Sequence, residues 1–279
     1  TKLCACWAVR WTRCSMAVIS LTTDFGSKDG FVGTMKGVIW GIAPDVQIAD
    51  ITHEIPAQDI MTGAIALWRA APFFPAGSVH IAVVDPGVGT SRRPMAVRLG
   101  YQFFVVPDNG LLTPLILDAE AAGLPIEYVH LENPEYWLPN VSRTFHGRDI
   151  FAPVGAHLFN GVAMYSLGSR FNNPVRLDMK LPEPIPGGWR AQITVIDVFG
   201  NLSTNLKASR LAEMGEVIIR VHGRQIDGLV ESYGHRNPGE LVALIDSENF
   251  LEVALVNGSA AQELGARLGD MVEVVQKHA

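Results

Sequence analysis

Along this chain, short apolar runs alternate with longer stretches in which apolar residues recur at helical spacing. Ala17 to Leu21 is a β-like run that ends in the polar segment Thr22-Thr23-Asp24-Phe25-Gly26. Phe31, Val32, Met35, Val38, Ile39 and Ile42 then predict a helix, with Asp29 as its cap and Pro44 as its stop. Val46 to Ile51 predicts a second strand, and Asp59 opens a second helix through Ile60, Ala64, Leu67 and Trp68 that stops before Pro72. Next comes Ser78-Val79-His80-Ile81-Ala82-Val83-Val84, a run rich in β-branched residues that predicts a buried strand. It stops at Asp85, and Pro86, Gly87 and Gly89 make a turn that lets backbone approach a ligand, with Arg92 seven residues beyond Asp85. This stretch reads either as a plain turn or as a strand-end site of an open α/β sheet.

Met95 to Leu99 and Phe103 to Val106 predict two strands around a tight turn, and Leu111 to Ala121 a helix. The polar segment 141–147 reads as a loop, and Asp149 to Phe159 as a helix bent near Pro153. This alternation predicts an α/β domain with a largely parallel sheet over residues 16–180. Residues 181–188 hold three prolines and two glycines and read as a linker without regular structure. Beyond it, Ala191 to Ile196, Val217 to Val221, Leu241 to Ile245, Phe250 to Val256 and Met271 to Val275 are β-type runs, with one helix at Ala260 to Leu268. Residues 189–279 therefore predict a smaller, mainly β domain, a barrel or a sandwich.

Composition narrows the function. The 279 residues are 48% hydrophobic and 18% charged, enough for a full core, and no apolar stretch is long enough for a transmembrane helix. A formal net charge of -6 and the lack of a basic run argue against nucleic acid as partner. Cys4, Cys6 and Cys14 crowd into residues 1–15, an atypical tail that reads as an upstream extension with Met16 close to the natural start. They form no disulfide framework, and no second Cys/His cluster completes a metal site; this usage fits a reducing cytoplasm.

There is no Walker loop, Rossmann glycine fingerprint, HExxH or GxSxG pattern, and His53-Glu54 lacks a second histidine at helical spacing. Polar residues gather instead at predicted strand ends: Asp24, Asp85, Asp108-Asn109, and Asp197 with Asn201. Singly each is a turn former; together they point to a polar ligand, and an Asp carboxylate suits a vicinal diol because it accepts two hydrogen bonds. His146 reads as a loop histidine or as an acid–base or water-positioning group. Tyr233 reads as an ordinary tyrosine or as a ring that stacks on a flat base.

Six segments occur together in order: Thr22-Thr23-Asp24-Phe25-Gly26, Val84-Asp85-Pro86-Gly87-Val88-Gly89, Pro107-Asp108-Asn109-Gly110-Leu111-Leu112, Thr144-Phe145-His146-Gly147-Arg148-Asp149, Asp197-Val198-Phe199-Gly200-Asn201 and Asn257-Gly258-Ser259-Ala260-Ala261. From about Val18 onward the chain resembles the S-adenosylmethionine (SAM)-dependent chlorinase/fluorinase family. Within it the chain is most similar to the hydroxide adenosyltransferase branch, the adenosine-forming SAM hydrolases. The resemblance implies an N-terminal α/β domain, a C-terminal β-barrel, and a homotrimer whose sites lie between subunits. It also implies SAM as substrate, with no separate cofactor or metal, and attack of a nucleophile at ribose C5′ with methionine leaving.

Carried over by position, Asp24 resembles the ribose carboxylate, and Asp85, Arg92 and His146 match the set that marks the hydroxide branch. Asp197 matches the carboxylate for the methionine ammonium, Asn201 an adenine contact, Tyr233 a stacking ring and Ser247 a hydroxyl near the methionine carboxylate. Ala260 joins this substrate-binding set. Glu248 departs from the pattern, since it stands where the fluorinase has an arginine. The halogenases resemble this chain but carry tyrosines at the positions of Asp85 and His146. A carboxylate repels halide and, with a guanidinium and an imidazole, can orient and deprotonate water. The expected reaction is hydrolysis of SAM to adenosine and methionine, with His146 or the Asp85–Arg92 pair taking the proton. A SAM-dependent halogenase and a non-catalytic SAM or adenosine binder are the alternatives.

Overall fold

The computed structural model describes residues 16–277, so the expectations for residues 1–15 lie outside it. The chain divides into two compact units, one ending at Asp178 and the other beginning at Met179. In the N-terminal unit the order is β1 (Ile19–Thr23), α1 (Phe31–Ile42), β2 (Ile48–Thr52), α2 (Ile60–Ala70), β3 (Val79–Val83), β4 (Pro94–Leu99), β5 (Gln102–Pro107), α3 (Thr113–Ala121), β6 (Ile126–His130), α4 (Ala152–Phe159) and β7 (Arg170–Phe171). One seven-stranded sheet runs β2-β1-β3-β5-β4-β6-β7. Its β2-β1-β3-β5 part is parallel, and β4, β6 and β7 extend it by antiparallel pairing.

Every residue of β1 and β3 is buried, as a strand covered on both faces requires. Alternation sorts their side chains. Ile19, Leu21, Val79, Ile81 and Val83 pack with Met35 and Ile39 of α1 and Val154 of α4 on one face. Ala82 and Val84 pack with Ala64 and Leu67 of α2 and Leu115 of α3 on the other. A Cβ on Gly155 would stand 2.4 Å from Ile81 Cδ1, so α4 lies against the sheet at this distance only because the residue is glycine. From β1 the chain crosses through α1 to β2 on one side, then through α2 to β3 on the other. The direction of winding therefore reverses between β1 and β3, the place where open α/β sheets leave a crevice at their C-terminal strand ends.

The C-terminal unit contains β8 (Glu183–Ile185), β9 (Gly188–Ile196), β10 (Leu202–Lys207), α5 (Ala208–Leu211), β11 (Val217–Val221), β12 (Arg224–Asp227), β13 (Leu241–Ile245), β14 (Phe250–Leu255), α6 (Ala260–Leu264) and β15 (Met271–Gln276). Its antiparallel ladder runs β12-β11-β15-β9-β10-β14-β13, and the end strands β12 and β13 lie beside each other, so the sheet nearly closes as a barrel. Ile193, Leu202, Leu206, Ile219, Leu251, Val253, Val272 and Val274 fill it.

Several local expectations change. Residues 181–182 are irregular as expected, but the rest of the 181–188 segment is not a free linker: β8 pairs with β9 across a short turn, with Pro184 opposite Trp189. Proline is tolerated there because β8 pairs on one side only and its missing N–H costs no ladder bond. Gly30, not Asp29, precedes the first turn of α1, and no side chain caps it. Asp59 does cap α2, accepting from Thr62 N at 3.0 Å. Pro153 is in the first turn of α4, where a missing N–H is harmless; the irregularity is a π-helical turn just upstream, Gly147–Phe151. Among the described residues no helix is long and apolar enough to cross a membrane.

His80 sits fully buried on β3, its Nδ1 2.6 Å from Ser20 Oγ and its ring stacked on Phe104. Burial pushes its pKa down to about 3, from 6.5 in the unfolded chain. The unfolded state therefore binds the extra proton between these values. The stability tied to the neutral ring is complete above pH 6.5 and drains away as pH falls toward 3. Between pH 6.5 and 4.5 this single group should remove roughly 2–3 kcal/mol. Urea titrations at the two pH values should show that loss in the wild type and a smaller one in His80→Gln.

Candidate active site

Asp24 follows the last residue of β1, and Asp85 lies two residues beyond β3. Because β1 and β3 are parallel neighbours, both carboxylates arrive at the same end of the sheet, at the point where the winding reverses. They line a cleft of about 350 Å³ with Phe25, Phe31, Gln58, Phe145 and His146. Asp24 Oδ2 accepts the backbone N–H of Gln58 at 2.8 Å. Phe25, Phe31 and Phe145 form an edge-to-face trio with centroids 5.1 to 5.9 Å apart.

Asp85, Arg92 and His146 come together. The odd-numbered side chains of β3 face the α1/α4 side, and Asp85 continues that alternation toward the element that carries His146. Arg92 Nε donates to Asp85 Oδ1 at 3.0 Å and its Nη2 donates to Oδ2, a two-pronged pair. The side chains of Arg92 and Asp85 are only 7% and 4% exposed, so the pair is held out of solvent. The same Nη2 lies 3.3 Å from His146 Nδ1. A guanidinium only donates, so Nδ1 accepts and the neutral ring carries its proton on Nε2. Burial and then the Arg92 charge hold the His146 pKa below the usual imidazole range, against weaker pull from Asp85 and Asp149.

Two loops fix this geometry. In the first, Val88 N bonds Asp85 O and Thr90 bonds Gly87 O through both its N–H and its hydroxyl, which folds Arg92 back onto Asp85. In the second, buried Asp149 accepts from Ser142 N at 2.8 Å and Arg148 Nε at 2.6 Å, while Phe145 N donates to Ser142 Oγ at 3.0 Å. The π-helical turn begins directly after His146 and places it at the mouth of the element. The loops meet at Gly89, where φ is 73° and a Cβ would stand 2.2 Å from Arg143 O. Gly89→Ala should push them apart and move Arg92 relative to His146. Turnover should fall roughly 100-fold, the scale of an ångström-sized misplacement, with a modest loss of Tm; steady-state kinetics and thermal melts measure both.

The remaining residues named from the sequence lie in the C-terminal unit. Asp197 Oδ1 accepts from Phe199 N and Asn201 N at 2.9 and 2.8 Å, and Asn201 Nδ2 donates to Oδ2 at 2.9 Å. Asn201 is thus buried against Asp197. Ala261 N bonds Gly200 O, which seats Ala260 and the start of α6 beside this turn. Tyr233 is 44% exposed, and its hydroxyl donates to Glu252 at 2.7 Å. Burial, then Glu252, Asp197 and Asp246, raise the tyrosine pKa. Ser247 is exposed on the β13–β14 turn, where Asp246 accepts from Glu248 N and Phe250 N. Asp108 and Asn109 belong to the scaffold: Asp108 binds Arg93 and Val175 N, and Asn109 ties the carbonyl of Val84.

Glu252, Asp149 and Gln58 were not singled out from the sequence. A lone acid in the apolar run Phe250-Leu251-Glu252-Val253 was a legible signal for the first. No pattern in the sequence marked Gln58.

Comparison with known proteins bears on what this arrangement does. Residues 19–168 match the model of the SAM hydroxide adenosyltransferase N-terminal domain, and residues 191–273 that of its C-terminal domain. The chain belongs to the SAM hydroxide adenosyltransferase family. One relative, the (R)-S-adenosyl-L-methionine hydrolase of Salinispora tropica, is 42% identical over 92% of this chain and 97% of its own length. A fluorinase from Nocardia brasiliensis is more distant, 27% identical over 92% of this chain and 96% of its own. A crystal structure of an uncharacterized conserved protein from Thermotoga maritima superimposes with a TM-score of 0.86 at 37% identity, covering 92% of this chain and all of that one. Family membership, sheet and barrel thus agree with the fold class read from the sequence.

Proposed function

We propose that this member of the SAM hydroxide adenosyltransferase family hydrolyses S-adenosyl-L-methionine to adenosine and L-methionine, by attack of water or hydroxide at ribose C5′. The observation that carries it is the Asp85–Arg92–His146 constellation, which shares one cleft with Asp24 at the reversal point of the sheet. The substrate is a sulfonium cation, and the leaving thioether is neutral. Attack by an anionic oxygen destroys charge, so a dry, preorganised site favours the step over bulk water.

Asp24 takes the ribose hydroxyls and fixes C5′ in line with the C–S bond. His146, with its proton on Nε2, donates to the water oxygen, and Asp85 accepts the proton through a remaining lone pair. The new bond joins the water oxygen to C5′, the C5′–S bond breaks, and its electrons stay on methionine sulfur. Asp197, propped by Asn201, takes the methionine ammonium; Tyr233 and Asn201 face the adenine; Ser247 and the Ala260 segment serve the remaining polar groups. These C-terminal residues come from a neighbouring subunit in a homotrimer. The exposure of Val198 and Phe199, 92% and 73%, supports a covered surface at that end. By extension from its relatives, the preferred substrate is the (R) epimer at sulfur.

The test is incubation of the protein with each sulfonium epimer, with and without chloride, and chromatography of the products. Adenosine and methionine are expected, independent of chloride. 5′-Chloro-5′-deoxyadenosine would make it a halogenase. Thermal stabilisation by SAM without product would make it a binding protein.

A further inference from the structure

We propose that Gln58 is a substrate-binding residue of this cleft, its side-chain carboxamide donating to the ribose that Asp24 holds. The inference rests on the hydrolase reading and extends it to a residue that no sequence pattern marks.

Four non-glycine residues among those described have positive φ: Gln58 at 67°, His222 at 46°, Asn249 at 66° and Asn257 at 55°. Asparagine and histidine are enriched in that region, and glutamine is not. Gln58 is kept there by its surroundings. Its N–H is bound by Asp24 Oδ2, Asp59 N bonds Pro56 O at 3.0 Å, and Ile60 N bonds Gln58 O at 3.0 Å as α2 begins. A residue held in so sparsely populated a conformation points to a site when it also faces a ligand cleft. Gln58 meets that condition, because it lines the cleft with Asp24, Asp85 and His146. Glycine would supply the same backbone N–H to Asp24 without the steric cost. The glutamine side chain is therefore present for what it does in the cleft, where it is exposed and makes no hydrogen bond to a described residue.

The chemistry is complementary. Asp24 only accepts hydrogen bonds, and one of its oxygens already takes the Gln58 amide. A ribose diol donates two hydrogens to such a carboxylate, and its oxygens still accept. The Gln58 carboxamide carries two N–H donors and can satisfy them. Backbone and side chain of Gln58 thus serve one ligand group, the first by fixing Asp24 and the second by direct contact.

Gln58→Gly and Gln58→Ala separate the two roles. Adenosine affinity is measured by calorimetry, kcat and KM by product release, and Tm by thermal melt. Gln58→Gly should raise Tm while weakening adenosine binding about tenfold, the worth of one hydrogen bond, with a parallel rise in KM and a smaller effect on kcat. Gln58→Ala should weaken binding equally without the gain in Tm. If Gln58→Gly gains stability and binds adenosine like the wild type, the side chain has no ligand and the proposal falls. A wild type that neither binds nor releases adenosine would remove the hydrolase reading itself, a failure visible before any variant is made.

Discussion

Asp85→Asn is expected to lower kcat by about two to four powers of ten while KM changes little, the loss typical of removing a general base. Asp85 is the carboxylate paired with Arg92, whose Nη2 also lies 3.3 Å from His146 Nδ1, and the His146 tautomer set by Arg92 leaves that ring a donor. Asparagine keeps the shape and one acceptor for the guanidinium. It replaces the other oxygen with an NH2 group, which cannot accept a proton. In the proposed reaction substrate is held by Asp24 and the C-terminal set rather than by Asp85, so KM should be spared. Saturation kinetics on both proteins, with circular dichroism to confirm folding, measure the effect. Unchanged kcat would mean that the loop after β3 is not the nucleophile side of the site.

The second large effect is on stability. Arg92→Met should cost about 3–5 kcal/mol and abolish turnover, because it leaves Asp85 buried without its countercharge. Both partners are more than nine-tenths buried, and the guanidinium carbon also lies over the Phe151 ring, 5.3 Å from its centroid. Methionine replaces much of that apolar contact, so most of the loss is electrostatic. The double variant Asp85→Asn/Arg92→Met removes both charges and should recover much of the lost Tm while staying inactive. Thermal or urea unfolding of the four proteins gives the coupling directly. Additive losses would show that the two side chains act separately, contrary to the two-pronged contact.

Comparison of the sequence with the folded chain shows which features each makes visible. Short runs rich in apolar and β-branched residues marked β1 and β3, in which every residue is buried. Strands with one open face or mixed composition, such as β6 and β10, left no comparable signal. The 181–188 segment misled because proline and glycine report on local backbone, whereas β8 exists through its pairing with β9. Asp85, Arg92 and His146 were named from motif and order alone, but nothing in the sequence says that Arg92 and His146, 54 positions apart, touch.

The sequence by itself determined what depends on near neighbours and on side-chain chemistry. That includes the alternation of strands and helices, the acids that end β1 and β3, the tight turn between β4 and β5, and the family to which six ordered segments belong. Only the tertiary structure decided what depends on residues far apart meeting. It set the reversal of winding that brings Asp24 and Asp85 to one cleft, and the Gly89–Arg143 contact that locks two loops. It also set the acceptor role of His146 Nδ1 and the left-handed backbone of Gln58 beside Asp24. The physical reason is the same in each case. These features are set by packing and hydrogen bonds between segments 30 to 60 residues apart, and a local pattern of polar and apolar positions carries no record of them.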